Sequence, residues 1–428
     1  MCHLGSDSMS GLMTGKQRPI QTLMTKRGAP VLLLQWLLMP LLGKFTTLAF
    51  LVLVPLLRMQ QGPYLRELRH FLFISLAYVI YITARSLIAG ADAASPIGDT
   101  LPLIIVAGLA FWAVREPVRL DMGWLFRGTV LMLMLVFGLA LFARVYMDVW
   151  RPELLLGNPL NLTPLLLVPC MLVTMARFAP SQLWVWLGLL SFVLGGYVIG
   201  GLSQSRGLFL GLGVLVLIRI GFDATSPASL RDKIWTCGAI FAAMGLVILF
   251  VSANATSSGR YAAAAQMLTS SSPSSSSLAS ELVGGDGDWS TGLRMIMLHE
   301  GWATFLEQPL FGFGPQNRFD AVFPDTSSFP IRLSHLHNDF LTHGVGGGIV
   351  AVLLLVLLLV APAWAGFRGN AGLGAGLAHA RREIGVLTSA AFLGVAMVNN
   401  VFFVAISAFT TSLSLVSILV VLAALRIS

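Results

Sequence analysis

Charged residues are scarce in this chain: only 11% of its 428 residues are Asp, Glu, Lys or Arg, against roughly 25% in a soluble domain. Hydrophobic residues make up 56% of the chain, and the mean hydropathy is +0.82. This balance excludes an ordinary soluble fold. The apolar runs are continuous rather than alternating, and many are long enough to cross about 30 Å of hydrocarbon. They therefore predict membrane-spanning helices, in which the backbone satisfies its own hydrogen bonds.

Cysteine is also scarce. The three cysteines, Cys2, Cys170 and Cys237, are far apart, and no Cys-x-x-Cys pair is present. This pattern excludes a disulfide framework and a thiolate metal site. The first apolar run follows a basic stretch and continues without a small-residue cleavage site, so we expect an uncleaved first helix rather than a signal peptide.

The predicted fold is an all-α polytopic membrane protein with about twelve transmembrane helices and one large periplasmic loop that contains short helices. Residues 1–252 hold helices one to nine, residues 253–336 form the loop, and residues 337–428 hold helices ten to twelve. The apolar runs lie near residues 29–42, 45–57, 70–89, 100–114, 124–145, 160–177, 181–201, 206–220, 234–252, 338–364, 384–404 and 406–425.

The distribution of charge predicts the orientation. With both termini in the cytoplasm, 18 of the 27 Lys and Arg residues fall on the inner side, and 12 of the 19 acidic residues fall on the outer side. This assignment follows the positive-inside rule. It also explains the pI of about 9.9 without a nucleic-acid partner.

The large outer loop divides into two parts. Residues 269–280 include eight serines and predict a flexible linker. Residues 291–307 have helical periodicity, and Pro309, Gly312, Gly314 and Pro315 then predict a tight turn.

Arginine, rather than lysine, recurs on the predicted outer side. Arginine stays charged in a poorly hydrated site and holds phosphate oxygens through two parallel hydrogen bonds, which favours a phosphate-bearing ligand. Interfacial snorkelling, or ion pairs with nearby acids, would also account for any one of these residues. The seven are Arg144, Arg151, Arg206, Arg260, Arg294, Arg318 and Arg332.

Arg206 lies in a short polar segment with Ser203, Gln204 and Ser205, at the outer junction of two apolar helices. A cation at the start of a helix adds to the positive potential of the helix N-terminus, so an anion is the ligand expected there. The alternative is a plain turn with an interfacial cation.

Three of the seven histidines lie within residues 335–343, immediately before a glycine-rich helix start. A neutral imidazole can remove a proton from an attacking hydroxyl group. Two alternatives are a metal site formed by His335, His337 and Asp339, and hydrogen bonding without chemistry. The two-residue spacing of the metal alternative suits a strand better than a helix start.

These motifs together resemble the O-antigen ligase and polymerase superfamily of bacterial envelope glycosyltransferases. The resemblance covers about residues 185–365 and is carried by motifs whose order and spacing matter more than any one of them. They are Ser-Arg-Gly at 205–207, Arg-x-x-x-Leu at 294–298, Pro-Leu-Phe-Gly-Phe-Gly at 309–314, His-Asn-Asp-Phe-Leu at 337–341, and Gly348 eleven positions after His337.

The resemblance implies transfer of a glycan from an undecaprenyl-diphosphate carrier to a hydroxyl group on the periplasmic face. The implied acceptor is the lipid A core oligosaccharide, and the implied partners are these two substrates and membrane lipids. Neither a cofactor nor a metal is implied. In this reading arginines stabilise the leaving diphosphate, which other enzymes neutralise with a metal cation.

The implied roles can be placed on this sequence. His337 would be the general base of an inverting displacement, and Arg206 and Arg294 would hold the diphosphate. Further candidates for substrate contacts are Gln204, Ser205, Gln316, Asn317, Arg318, Asn338 and, from topology alone, Arg151.

Three other functions fit parts of the pattern. An O-antigen polymerase would use another lipid-linked glycan as acceptor. A protein O-glycosyltransferase is disfavoured, because no sizeable periplasmic region follows the last predicted helix. A transporter or lipid flippase also suits twelve helices, but the charged residues gather at the outer boundary rather than at mid-membrane, and no internal repeat is evident.

Overall fold

The fold was analysed in a computed structural model, which describes residues 28–43, 45, 65–90, 94–114, 121–149, 159–203, 205–253, 289–324, 336–368, 370, 372–399 and 405–425. Within these ranges the chain is helical and contains no strand, which confirms the all-α prediction. Thirteen α-helices are described, with bounds as follows: α1 Gly28–Leu42, α2 Arg66–Ile88, α3 Ala94–Ala113, α4 Met122–Tyr146, α5 Pro159–Leu172, α6 Gln182–Tyr197, α7 Arg206–Thr225, α8 Leu230–Ala253, α9 Trp289–Glu307, α10 Arg318–Val322, α11 Asp339–Phe367, α12 Ala375–Val398 and α13 Ala405–Ala424.

Eleven of the twelve predicted apolar runs coincide with a helix in these ranges. The remaining run, residues 45–57, lies almost wholly outside the described residues. Among the described residues, seven spans are long and apolar enough to cross a membrane, which confirms a polytopic membrane protein. They are Arg66–Ile88, Met122–Tyr146, Gln182–Leu202, Gly207–Thr225, Leu230–Ala253, Asp339–Phe367 and Ser407–Ala424.

The helix α13 lies at the centre of the bundle. Its segment Ser407–Ala424 is fully buried, and it packs against α1, α3, α11 and α12. Small hydroxyl residues allow this close packing, because their side chains bond to the preceding turn of the helix. Ser412 and Ser414 donate to the carbonyl oxygens of Ala408 and Thr410, and Ser414 also accepts a hydrogen bond of 3.2 Å from the Trp36 indole.

The helix α11 is kinked. Gly348 has φ +68° and ψ −168°, so a short first part of α11 ends there and a long second part begins. We call the end of the bundle at which α11 begins the upper end, and the end near Trp364 and Arg368 the lower end. The kink lies in the upper part of the bundle.

A loop fills the kink. Residues 309–314 lie against the glycines of α11, and three backbone hydrogen bonds join the two segments. Phe313 N donates to Val345 O at 2.8 Å, Gly314 N donates to Gly346 O at 2.9 Å, and Ile349 N donates to Pro309 O at 2.8 Å. The backbones approach closely because neither side has a side chain in between.

A small second core supports this loop. Apolar residues of α9, α10 and the first part of α11 form it, and α9 packs so closely on α11 that a Cβ atom on Gly301 would lie 2.7 Å from Leu341. The buried members are Leu293, Met297, Phe319, Val322, Phe323, Leu336, Leu341 and Val345. The predicted helix at 291–307 and tight turn at 309–315 are both confirmed, whereas the predicted linker at 269–280 lies outside the described residues.

Buried charges join three elements at the lower end. Glu383 on α12 is fully buried and forms ion pairs with Arg177, from the turn after α5, and with Arg219 on α7 at 2.8 Å. Arg219 also pairs with Asp223 one turn further along α7. The sequence analysis assigned these residues no role, since Glu383 lies 164 positions from Arg219 and 206 from Arg177 in the chain.

Gly348→Ala is expected to destabilise the protein. An added Cβ atom would lie 2.1 Å from the Leu310 carbonyl oxygen, and alanine disfavours a positive φ by about 1–3 kcal/mol. The midpoint of thermal unfolding in detergent should therefore fall. Gly394→Ala on α12 is the matched control, because a Cβ atom there meets nothing within 4 Å. Equal midpoints for the two variants would contradict the docking of the loop on the kink.

Glu383→Gln is also expected to lower the unfolding midpoint. Loss of the carboxylate charge removes the partner of the buried Arg219 guanidinium and of the partly exposed Arg177 guanidinium, and breaking a buried pair typically costs about 3–5 kcal/mol. Glu307→Gln makes the same chemical change at an exposed glutamate of α9 and should leave the midpoint unchanged. A negligible shift for Glu383→Gln would show that the lower-end cluster contributes little to stability.

Candidate active site

His337 lies at the start of α11 in a constrained backbone. Its φ of +52° places it in the left-handed region, which non-glycine residues seldom adopt. The neighbours on either side are anchored: Leu336 N donates to the Thr342 hydroxyl at 3.1 Å, and the Asn338 side chain accepts from Leu341 N at 2.9 Å as the N-cap. The backbone on both sides of His337 is therefore held by hydrogen bonds to side chains.

Asn338 also joins α11 to the end of α12. Its side-chain amide donates to the Met397 carbonyl at 3.0 Å. Asn338 was predicted to contact substrate, and the structure shows its side chain engaged in these two structural hydrogen bonds.

The start of α7 reaches the same end of α12. A Cβ atom on Gly207 would lie 2.9 Å from Val398, so α7 begins directly against the residue that follows Met397. The first residue of α7 is Arg206. The structure therefore brings the backbone of Arg206 and the His337 segment to the same end of α12, although the Arg206 side chain lies outside what the structure describes.

The turn before α7 is tightly packed. Residues Val198–Leu202 continue α6 as a π-helical turn, a form often found at functional sites. Ser203 and Ser205 are buried, and Ser205 N donates to Ile199 O at 3.1 Å. Gln204 lies outside the described residues.

Arg294, on α9, acts electrostatically on His337. Burial is the larger cause, and the positive charge of Arg294 is the second cause, of a pKa for His337 that is lowered from 6.5 to about 4. His337 is therefore neutral at pH 7. Two residues 43 positions apart, both predicted as catalytic, thus lie close enough to interact.

The remaining candidates have different surroundings. Arg318 is buried and donates to the Pro315 carbonyl oxygen, so its guanidinium group takes part in the turn. Gln316 is partly buried, and Asn317 is exposed and precedes α10. Arg144 is partly buried in the last turn of α4. Arg151, Arg260, Arg332 and His335 lie outside the described residues.

The sequence analysis missed the role of α2. Arg85 donates to the carbonyl oxygens of Phe311 at 2.9 Å and Gly312 at 2.8 Å, and the Tyr81 hydroxyl donates to Gly347 O. Arg85 therefore joins α2 to the loop of residues 309–314, and Tyr81 joins α2 to the kinked helix α11 on which this loop lies. Only the outer position of Arg85 could be read from the sequence, because the bonded carbonyls are more than 220 positions away.

A buried pair lies beneath these groups. The Tyr78 hydroxyl is 3.1 Å from Nδ1 of His343, and both side chains are buried. His343 was noted only as one of three clustered histidines. Its depth in the bundle separates it from His337, which lies before the helix starts.

The spans that are long and apolar enough to cross a membrane define a polytopic membrane protein. Residues 189–356 match the family model described as O-antigen ligase. This match supports the O-antigen ligase and polymerase superfamily, whose members are membrane glycosyltransferase-like enzymes of lipopolysaccharide biosynthesis. The match runs from α6 into α11 and so includes Arg206, Arg294 and His337. No curated protein matches the chain.

The lowered pKa of His337 predicts a pH-dependent stability. The unfolded state binds a proton near pH 6.5, whereas the folded state resists protonation until about pH 4. Lowering the pH from 6.5 towards 4 should therefore destabilise the fold, and His337→Gln should remove that part of the loss. The measurement is the unfolding midpoint in detergent at pH 7 and at pH 5.

His299→Gln is the control for this experiment, because His299 is an exposed histidine of the adjacent helix α9. That variant should keep the wild-type difference between the two pH values. If His337→Gln also shows the wild-type difference in unfolding midpoint between pH 7 and pH 5, burial and Arg294 do not lower the pKa of His337 as described.

Proposed function

We propose that this protein is an O-antigen ligase of the bacterial inner membrane, with both termini in the cytoplasm and the upper end of the bundle facing the periplasm. The donor is an undecaprenyl-diphosphate-linked glycan, and the acceptor is a hydroxyl group of the lipid A core. The family match supports the class of reaction. Two observations support the site: burial and the charge of Arg294 lower the pKa of His337, and the start of α7 packs against the end of α12 that Asn338 also reaches.

The proposed reaction is a single displacement at the anomeric carbon. His337 removes the proton from the acceptor hydroxyl, and the acceptor oxygen forms a bond to the anomeric carbon as the bond from that carbon to the diphosphate oxygen breaks. The configuration inverts, and undecaprenyl diphosphate leaves with the bonding electrons. Arg294 and Arg206 stabilise the charge that develops on this leaving group.

Binding of the donor would also activate the base. A free enzyme with a His337 pKa of about 4 has a neutral but weak base. A diphosphate bound at Arg294 brings negative charge near the imidazole, and this charge opposes the effect of the guanidinium group. The pKa of His337 should therefore rise in the donor complex, which would make the imidazole a better proton acceptor when the substrate is in place.

The membrane arrangement suits two lipid-anchored substrates. Both reach the protein within the plane of the bilayer, so their reacting groups meet at a fixed depth. Holding them in line can supply a large part of the rate enhancement by proximity. The acceptor distinguishes a ligase from a polymerase of the same superfamily.

His337→Ala should abolish glycan transfer while the protein still inserts into the membrane. Loss of a general base typically reduces the rate by about 10²- to 10⁴-fold. Arg294→Lys should also impair turnover, because lysine cannot reproduce two parallel hydrogen bonds to phosphate. The assay uses purified protein in detergent with lipid-linked glycan and lipid A core, and it measures the covalent product on a gel.

Arg231→Lys is the control, since Arg231 is an exposed residue at the lower end of α8. It should have wild-type activity. Full activity of His337→Ala would overturn the assignment of the base, and no product from wild-type protein with any acceptor would favour transport instead.

A gel of lipopolysaccharide from a deletion strain separates the two members of the superfamily. Loss of long chains together with accumulation of a lipid-linked polymer is the result expected of a ligase. A single repeat attached to the core would instead identify a polymerase, and the acceptor proposed above would be wrong.

A further inference from the structure

A groove runs between α2 and α11 at the lower end, far from His337. Its volume is about 380 Å³, and its walls come from the first turns of α2 and the last turns of α11. Phe71, Ile74, Leu357 and Ala361 line its apolar part, and Leu357 is 48% exposed, so the groove opens sideways. In a bilayer this opening faces the hydrocarbon.

Cations surround one end of this groove. Arg66 and Arg368 both line it, and together with Arg69 they act electrostatically on His70, which also lines it. Only one acidic side chain, Glu67, is among the lining residues. The three arginines and this glutamate leave a surplus of two positive charges when His70 is neutral.

Contacts with an aromatic ring and a histidine, rather than ion pairs with carboxylates, hold the two arginines that line the groove. The Arg368 guanidinium carbon lies 3.9 Å above the centre of the Trp364 ring, and Arg66 Nε donates to His70 at 3.4 Å. Within the part of the chain that the structure describes, no carboxylate lies within ion-pair distance of either arginine. Their remaining donors point to an anionic ligand.

A second cavity at the lower end lacks this surplus. It measures about 1130 Å³, and Arg177 and Arg219 line it. Both arginines are engaged by the buried Glu383, and Arg219 also by Asp223. The arginines of the larger cavity therefore have carboxylate partners, whereas the groove has a surplus of positive charge.

We propose that the groove binds an anionic glycerophospholipid. The phosphate lies between Arg66 and Arg368, and an acyl chain lies along the apolar wall of α2 and α11. Arginine suits phosphate geometry, and basic pockets between membrane helices at the inner surface attract anionic headgroups. A zwitterionic lipid carries an ammonium group that the three arginines repel, so the groove selects for a net negative headgroup.

The location of the site gives the lipid a structural consequence. The helix α2 holds the upper loop through Arg85, and α11 begins beside His337. A lipid across the lower ends of these two helices fixes their spacing on the side away from the candidate active site. This inference depends only on the groove and not on the proposed reaction.

Binding can be measured by native mass spectrometry of the full chain, purified in detergent and mixed with phosphatidylglycerol or phosphatidylcholine. Wild-type protein should retain phosphatidylglycerol in preference. The double variant Arg66→Gln/Arg368→Gln should lower that retention by about tenfold. Soluble glycerol 3-phosphate should not compete, because it lacks the acyl chains that occupy the groove.

The matched control is Arg231→Gln/Arg382→Gln, which removes two exposed arginines from the same end of the bundle and should retain the lipid. Equal loss in both double variants would overturn the proposal in favour of general surface charge, and so would equal retention. Ala361→Phe fills the groove without changing charge, and it should lower retention as well. It keeps the test valid if the charge variant fails to fold, and wild-type retention in a folded Ala361→Phe protein would overturn the acyl-chain assignment.

Discussion

The docking of residues 309–314 on the glycines of α11 is the contact on which the upper end of the molecule depends. A break in a membrane helix frees backbone groups that lipid cannot satisfy. Here the chain itself supplies their partners, through bonds such as Phe313 to Val345, and Gly348 lets the two backbones meet. Arg85 then ties the loop to α2. A polar site can exist at this depth because these bonds are all made within the protein.

The electrostatics of the candidate site follow from its packing. His337 is held in a left-handed backbone, and Arg294 of α9 acts on it electrostatically. A positive charge beside a partly buried imidazole keeps it neutral but also weakens it as a base. In the proposed reaction, the negative charge of the bound donor raises the pKa of His337 and so makes the imidazole a stronger base. The arrangement thus links the strength of the base to the presence of its substrate.

The two ends of the bundle handle charge in different ways. The upper end uses arginines for backbone carbonyls and for the candidate site. At the lower end, Glu383 pairs with arginines of two other elements, while Arg66 and Arg368 line a groove between α2 and α11. A buried ion pair locks helices together, whereas an unpaired surface cation is available to a headgroup. The same residue type therefore stabilises the fold in one place and offers a binding surface in another.

The sequence by itself determined the class of protein, the position of most helices and the motifs of the superfamily, because hydropathy and helix-breaking residues act over short distances along the chain. It also singled out His337 and Arg294. Only the tertiary structure decided that these two residues interact, that Asn338 serves as a cap, and that Arg85 holds the loop. Each of these outcomes depends on contacts between residues many positions apart, and the packing of whole helices, rather than local propensity, sets such distances.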